Sequence, residues 1–206
     1  MENYRTLAAR GTATIEEKKS EFIGVAAPAT TEEEALAVLQ EIKAAHRTAR
    51  HNVYAYLLGE GNRTRCSDDG EPAKTAGVPI LNVLQHSDIT DCIIVVTRYF
   101  GGTLLGTGGL VRAYTSAAKA ALDAADIRIM QVCVTICLTV GYALYEPCRK
   151  ILEEGTAVVQ EPVFTDAVAI TATVAQPLAL GLQAQLNELC RGSVKIDISA
   201  PFFAPV

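Results

Sequence analysis

The chain has 206 residues, a formal net charge of −5 and an isoelectric point near 5.3. Broad phosphate binding needs clustered cations, so this balance excludes a general nucleic-acid coat and leaves only a local basic patch. No run approaches ~18 consecutive apolar residues and the start lacks a signal-peptide apolar region, which predicts a soluble, cytoplasmic protein without membrane contact. The six cysteines form no C-x-x-C pair, so neither a zinc site nor a disulfide framework is expected.

The first part of the chain alternates strands and helices. Predicted strands lie at 12–15, 22–26, 52–58 and 92–96, and predicted helices at 32–45, 78–85 and 110–125. The first two strands form a hairpin around the polar turn 16–21. Thr31 and Glu34 form a capping box for the first helix, and Pro79 suits the first turn of the second.

The amino-acid composition changes near residue 130, because lysine and arginine are scarce after it. Strands are predicted at 132–140, 156–161, 168–174 and 194–198, and helices at 145–154 and 178–190, with Gly155 and Gly192 after the helices. This βαββαβ order is that of a ferredoxin-like domain. We therefore expect two domains, residues 1–129 and 130–206.

A glycine-rich segment joins the apolar strand at 92–96 to the helix that follows. Its glycines are Gly101, Gly102, Gly106, Gly108 and Gly109. It is not a Walker loop, because no lysine follows the last glycine, and it lacks the spacing of a dinucleotide fingerprint. A strand-to-helix junction leaves helical N–H groups unpaired, which suits a phosphate or carboxylate. A purely structural tight turn is the equally weighted alternative.

Several motifs, in order, resemble the YigZ/IMPACT family over nearly the whole chain. They are Lys18-Lys19-Ser20-x-Phe22-Ile23, Ala49-x-His51-Asn52, Ser67-Asp68-Asp69-Gly70-Glu71-Pro72, Thr75-Ala76-Gly77-x-Pro79, Thr97-Arg98-Tyr99-Phe100-Gly101-Gly102 and Leu105-Gly106-x-Gly108-Gly109-Leu110-Val111-Arg112-Ala113-Tyr114. The resemblance implies an α+β fold with a ribosomal protein S5 domain 2-like domain, followed by a ferredoxin-like domain similar to domain V of elongation factor G. Position 74 is Lys where bacterial members usually carry Gly, which leaves the conformation of that loop open.

The resemblance implies binding related to translation rather than chemistry. Eukaryotic relatives bind a ribosome-associated activator of a stress kinase, a pathway that bacteria lack. We therefore expect a non-enzymatic binding protein for RNA, the ribosome or a translation factor, without catalytic residues, cofactor or metal. The binding residues assigned to the motif face are His51, Asn52, Asp68, Asp69, Glu71, Lys74, Thr75, Arg98, Tyr99, Gly101, Gly102, Gly106, Gly108, Gly109 and Arg112.

Arginines are the main candidates for contact with phosphate. Arg98 and Arg112 flank the glycine segment, and a second basic stretch contains Arg47, Arg50, Arg63 and Arg65. For Arg98 and Arg112 the alternative is an ion pair with Asp68, Asp69 or Glu71 that only joins two loops. For the basic stretch it is a solvated surface.

Two other functions remain open at this point. The S5-like fold is shared with GHMP-type kinases, so a phosphate-handling enzyme is one alternative, with Asp68, Asp69 and Glu71 around Mg²⁺. The acidic run lacks the spacing of a calcium loop, and a turn stabilised by Asx hydrogen bonds is the favoured interpretation of it. His51 is the histidine best placed for such a site, although a hydrogen-bonded structural role at the start of a strand is the favoured interpretation. The other alternative is an adaptor that binds a protein partner.

Overall fold

Two compact units, an N-terminal unit (Tyr4–Ile129) and a C-terminal unit (Asn3 with residues 130–205), make up the computed structural model, which describes residues 3–59 and 63–205. Both units mix helices with antiparallel sheet, and the described residues contain five helices. None of these helices is long and apolar enough to cross a membrane.

The described residues of the N-terminal unit form six strands and three helices. They are β1 (Tyr4–Ala9), β2 (Gly11–Glu17), β3 (Ser20–Pro28), α1 (Glu32–Ala45), β4 (His51–Leu58), β5 (Arg63–Ser67), α2 (Gly77–His86), β6 (Cys92–Tyr99) and α3 (Gly106–Asp123). Five strands form an antiparallel sheet in the order β2-β3-β6-β4-β5. The central strand β6 is buried from Cys92 to Arg98, which explains why its sequence is an unbroken apolar run rather than an alternating one.

Both faces of this sheet are covered. On one face, Val53, Ile94 and Val96 pack with residues of α2 and α3, including the fully buried Tyr114. On the other face, Tyr54 and Ile93 share a core with the apolar side of α1. Burial of side chains on alternating sides of β4 and β6 therefore fixes the strand register and holds the ends of β4 and β6 in place.

Local signals predicted several boundaries. The predicted cap of α1 is confirmed: Thr31 Oγ1 accepts a hydrogen bond from Glu34 N–H. The Glu34 carboxylate accepts from Thr30 N–H and Thr30 Oγ1, one residue earlier than a standard capping box. The polar turn predicted at 16–21 is wrong in extent, because only Lys18 and Lys19 leave the strands, both with positive φ. The residues Gly59-Glu60-Gly61-Asn62 predict a turn after the strand at 52–58, and residues 60–62 of it lie outside the described residues.

The glycine segment differs most from its prediction. Helix α3 begins at Gly106, four residues before the predicted start, so Gly106, Gly108 and Gly109 lie in its first turn and only Gly101 and Gly102 lie in the loop. Gly101 is required by close approach, since a Cβ there would lie 1.9 Å from the carbonyl carbon of Lys19. Its N–H also donates to Ser20 Oγ, which joins the loop to the hairpin of β2 and β3.

The remaining strands and helices belong to the second half of the chain. They are β7 (Asp126–Val140), α4 (Tyr142–Glu154), β8 (Val158–Val159), β9 (Val163–Phe164), β10 (Val168–Ala175), α5 (Gln176–Leu189), β11 (Ile196–Ile198) and β12 (Phe202–Pro205). Strand β10 pairs with β7, β8 and β9, while β11 and β12 pair with β7, all antiparallel. The predicted strand at 156–161 is reduced to two residues. Strands β1, β5, β9 and β12 were missed, and β5, β9 and β12 are so short that they carry little periodicity.

Candidate functional site

An acidic loop after β5 lies beside the end of the central strand β6 in the N-terminal unit. Glu71 is buried in this loop and accepts hydrogen bonds from Arg98 Nη1 at 2.6 Å and from the Tyr114 hydroxyl at 2.8 Å. The Arg98 guanidinium also packs against the rings of Phe22 and Phe100, at 5.4 and 5.7 Å from their centroids. Glu71 and Arg98 are therefore a buried ion pair that joins the loop to the sheet.

Tyr114 and His51 complete the surroundings of Glu71. Burial, and then the negative charge of Glu71, raise the pKa of Tyr114 above its ordinary value, so its hydroxyl stays a proton donor to the carboxylate. His51 Nε2 lies 3.8 Å from the Glu71 carboxylate, and its Nδ1 is hydrogen-bonded to the carbonyl of Asp69 at 2.7 Å. The second bond indicates an Nδ1–H tautomer, because a carbonyl only accepts.

The Asp68 side chain caps the N-terminal end of α2. Its Oδ1 accepts from the N–H groups of Ala76 and Gly77 at the start of α2, and its Oδ2 accepts from Lys74 N–H. Lys74 has a φ of 63°, in the left-handed region that glycine adopts freely. This explains why the resemblance predicts Gly at position 74, and the Asp68 bond shows how the loop holds Lys there instead.

The neighbouring carboxylate of Asp69 is also occupied by the protein itself. Its two oxygens accept from Asn52 N–H at 2.6 Å and from Lys43 Nζ at 3.2 Å. Thus neither Asp68 nor Asp69 is free to hold the Mg²⁺ considered for the enzyme alternative. Within residues 3–59 and 63–205, no group of three or more His, Cys, Asp or Glu side chains has the arrangement of a metal site.

Three more of the predicted residues form hydrogen bonds with other parts of the protein. Asn52 is buried and its Oδ1 accepts from Thr97 Oγ1. The buried Thr75 donates from its hydroxyl to the carbonyl of Pro72. Tyr99 is hydrogen-bonded through its hydroxyl to His46 Nδ1 at 3.0 Å. These contacts hold the motif together and leave these side chains little freedom for a ligand.

The first turn of α3 is open. Gly106, Thr107 and Gly108 are exposed, the N-cap residue Leu105 provides no side-chain hydrogen bond, and the turn contains no acidic residue. Arg112 is exposed, and its Nη1 lies 3.6 Å from where a side chain at Gly108 would begin. A guanidinium therefore lies next to the positive end of the helix dipole.

A cleft of about 390 Å³ opens at this helix end. It is lined by residues at the start of α3, by the ion pair of Glu71 and Arg98, by His51, and by the exposed Arg50. Sequence reasoning missed its apolar wall, Phe100 and Leu104, which are 43% and 83% exposed. Their position inside the motif at 97–114 was the available signal, since exposed apolar side chains in a motif suggest contact with a ligand.

The predicted basic stretch does not form one surface. Arg65 pairs with Glu32 at 2.8 Å, and Arg47 Nε donates to the carbonyl of Ala44. Arg63 is exposed on the edge strand β5, whereas Arg50 lines the cleft. Of the four arginines, only Arg50 therefore joins the residues around α3.

Comparisons with known proteins agree on one family. Residues 18–122 match the model of the Impact N-terminal domain. The chain is 34% identical over 202 residues to IMPACT family member YvyE of Bacillus subtilis, and this alignment covers 96% of this chain and 91% of that protein. It is 43% identical over 125 residues to IMPACT family member YigZ of Escherichia coli, covering 59% of this chain and 61% of that protein. A crystal structure of a hypothetical protein superimposes with a TM-score of 0.64 at 32% identity, over 95% of this chain and 97% of that one.

Proposed function

This chain belongs to the IMPACT family, and from that membership we propose that it is a non-enzymatic, translation-related binding protein that holds RNA phosphate at the N-terminal end of α3. The proposal combines the role implied by the family resemblance with the chemistry of the cleft. The observation that supports the proposal most directly is the first turn of α3, which is exposed and has no side-chain cap, with the Arg112 guanidinium beside it.

A cation at this position is unfavourable in the free protein. The first N–H groups of a helix carry partial positive charge, so Arg112 is repelled by the turn it covers. An anion bound to the amides of Gly106 to Gly108 would satisfy those donors and pair with the guanidinium at once. The local electrostatics thus favour a bound anion, although the whole chain is acidic.

The rest of the cleft suits a nucleic acid better than a free inorganic ion. Arg50 supplies a second exposed cation, whereas the charge of Arg98 is compensated by Glu71. Phe100 offers an exposed aromatic ring on the same cleft, and stacking of a base on an aromatic ring is typical of single-strand recognition. Phosphate at the helix end and a base on Phe100 would together fill the cleft.

The architecture supports the same proposal. In the C-terminal unit, β7 lies between β10 and the pair β11 and β12, the strand order of a ferredoxin-like βαββαβ domain. We assign the N-terminal unit to the S5 domain 2-like class implied by the family resemblance. Both classes occur on ribosomal RNA, but a shared fold alone does not establish function.

Fluorescence anisotropy with a labelled single-stranded RNA tests the proposal. We expect binding that weakens with salt, and Arg112→Ala should reduce the salt slope by about 0.7, the value for one lost single-strand phosphate contact. Arg149→Ala is the matched control, because Arg149 pairs with Glu153 on the exposed face of α4. Absence of salt-dependent binding at micromolar protein, to RNA and to 70S ribosomes, would remove the proposal.

The two other functions make different predictions for the same cleft. A phosphate-handling enzyme should show a Mg²⁺-dependent rise in melting temperature with ATP, which the binding protein should not. An adaptor should retain its partner after nuclease treatment and lose it on Arg112→Glu. Such results would replace RNA by a nucleotide or an acidic protein surface as the ligand.

A further inference from the structure

A second, larger cavity of about 730 Å³ lies in the N-terminal unit between α2 and α3. Residues spaced by one helical turn on each helix face it, Val78, Asn82 and His86 from α2 and Val111, Thr115 and Lys119 from α3. It shares no lining residue with the cleft at the start of α3. A ligand of this cavity would therefore bind at a different site from the anion proposed above.

The floor of this cavity is apolar and accessible. Pro79, Ile89 and Leu122 are buried beneath it, while Val111 and Ile127 at its edges are 37% and 38% exposed. Apolar side chains around a concave surface stabilise an apolar ligand, because contact removes apolar surface of both from water. The cavity volume falls in the range of small-molecule sites.

The rim has the opposite charge to the chain as a whole. Arg5, Lys74 and Lys119 line the cavity with one carboxylate, Asp123, in a protein of net charge −5. The side chains of Lys74 and Lys119 lie in exposed positions. This local excess of cations over an apolar floor is complementary to a ligand with an anionic head and an apolar body.

The extent of the apolar surface argues against a partner helix as the occupant. Exposed residues of α2 and α3 outside the lining, such as Gln85, Arg112 and Ser116, are polar. Stable protein interfaces bury roughly 800 Å² on each side, and these polar flanks provide no continuation of the groove. On α2 and α3, the exposed surface next to the cavity is therefore polar.

We propose that the cavity between α2 and α3 binds a small anionic amphiphile, with one alkyl chain on the apolar floor and a carboxylate or phosphate head against the cations of the rim. The ligand class follows from the volume, the lining and the charge of the rim. A free fatty acid and an alkyl phosphate share this chemistry, and a lipid headgroup at a membrane surface is the competing source of the same anion.

Isothermal titration of the full chain with octanoate, decanoate and dodecanoate, each below its micelle concentration, tests the proposal. The dissociation constant should fall by about fourfold for each added methylene. Decanol, which lacks the charge, should bind roughly two- to fivefold more weakly than decanoate. Titration with decyl phosphate compares a phosphate head with the carboxylate of decanoate. In a separate NMR titration with decanoate, changes in ¹⁵N–¹H amide shifts should be confined to residues around the cavity.

Charge reversal at the rim provides the matched comparison. Lys119→Glu should weaken decanoate binding by about fivefold or more, whereas Lys150→Glu on α4, with the same change of net charge, should leave it unaffected. Val111→Glu places a carboxylate at the edge of the cavity and should also weaken binding, with an unchanged circular dichroism spectrum. No saturable binding, equal affinity for decanol and decanoate, or binding only to anionic vesicles would each overturn the proposal.

Discussion

The starts of α2 and α3 show opposite solutions to the same electrostatic problem. At the start of α2, Asp68 accepts hydrogen bonds from the amides of Ala76 and Gly77. At the start of α3, no side chain of the N-cap residue accepts a bond, no acid lies in the first turn, and Arg112 lies beside it. Both ends belong to the N-terminal unit, so the difference is local.

This comparison shows how the N-terminal unit uses its acidic residues. The loop after β5 supplies Asp68 to α2 and Glu71 to Arg98. These contacts satisfy the protein's own donors and explain why acidic motif residues stabilise the fold. The remaining unsatisfied positive end, at α3, is the one that an external anion would complete.

Loss of Glu71 should have the largest effect on stability. Glu71→Ala leaves the Arg98 charge buried without its partner and removes the acceptor of Tyr114, which should lower the free energy of unfolding by about 3–5 kcal/mol. Urea unfolding followed by circular dichroism measures this, and Glu71→Gln should lose less because it keeps an acceptor. A loss below about 1 kcal/mol for the alanine variant would contradict a buried, structural ion pair.

Removal of the α2 cap should rank second. Asp68→Ala leaves the amides of Lys74, Ala76 and Gly77 without their acceptor, at a cost of about 2 kcal/mol. Asp68→Asn retains one acceptor oxygen and should recover part of this loss. Equal unfolding midpoints for Asp68→Ala and the original chain would show that the loop does not depend on the carboxylate.

An acid placed at α3 should separate stability from binding. Thr107→Glu adds a negative charge to the open first turn, which should raise the free energy of unfolding by about 0.5 kcal/mol and weaken RNA binding. Ser116→Glu, in the middle of the same helix, is the control and should do neither. If Thr107→Glu weakened both stability and binding, its effect would be damage to the fold.

Removal of the cation at α3 should give the smallest change. Arg112→Gln relieves repulsion with the helix end and should raise the free energy of unfolding by about 0.3 kcal/mol at low salt. The gain should disappear at high ionic strength, because salt screens exposed charges. Thermal unfolding at two salt concentrations measures it, and a salt-independent loss of stability would indicate that Arg112 has a structural partner.

Sequence patterns predicted elements that local chemistry determines. The Thr31 cap and the apolar strand of Cys92 to Val96 follow from short-range signals, and the structure has them. The second half has its two predicted helices, but the short strands β9 and β12 add to the predicted order of elements. The start of α3 was placed too late because glycines oppose helix formation locally. The helix is stabilised instead by burial of the apolar residues that follow the glycines, such as Leu110, Ala113 and Tyr114.

The contacts of the candidate site were only partly predictable. An ion pair of Arg98 with Asp68, Asp69 or Glu71 was one of two open interpretations, and which acid it contacts depends on the sheet register. The Lys43 contact to Asp69 joins α1 to the loop and leaves no sequence signal. Whether the assigned residues bind a ligand stays a prediction.

An amide-resolved titration with a short single-stranded RNA tests the central claim most directly. The account predicts saturable ¹⁵N–¹H shifts at Gly106, Thr107 and Gly108 in α3, with Ala76 and Gly77 of α2 unchanged because Asp68 occupies their donors. Shifts of equal size at both helix starts, or no shift at α3 under conditions where the RNA binds, would contradict it.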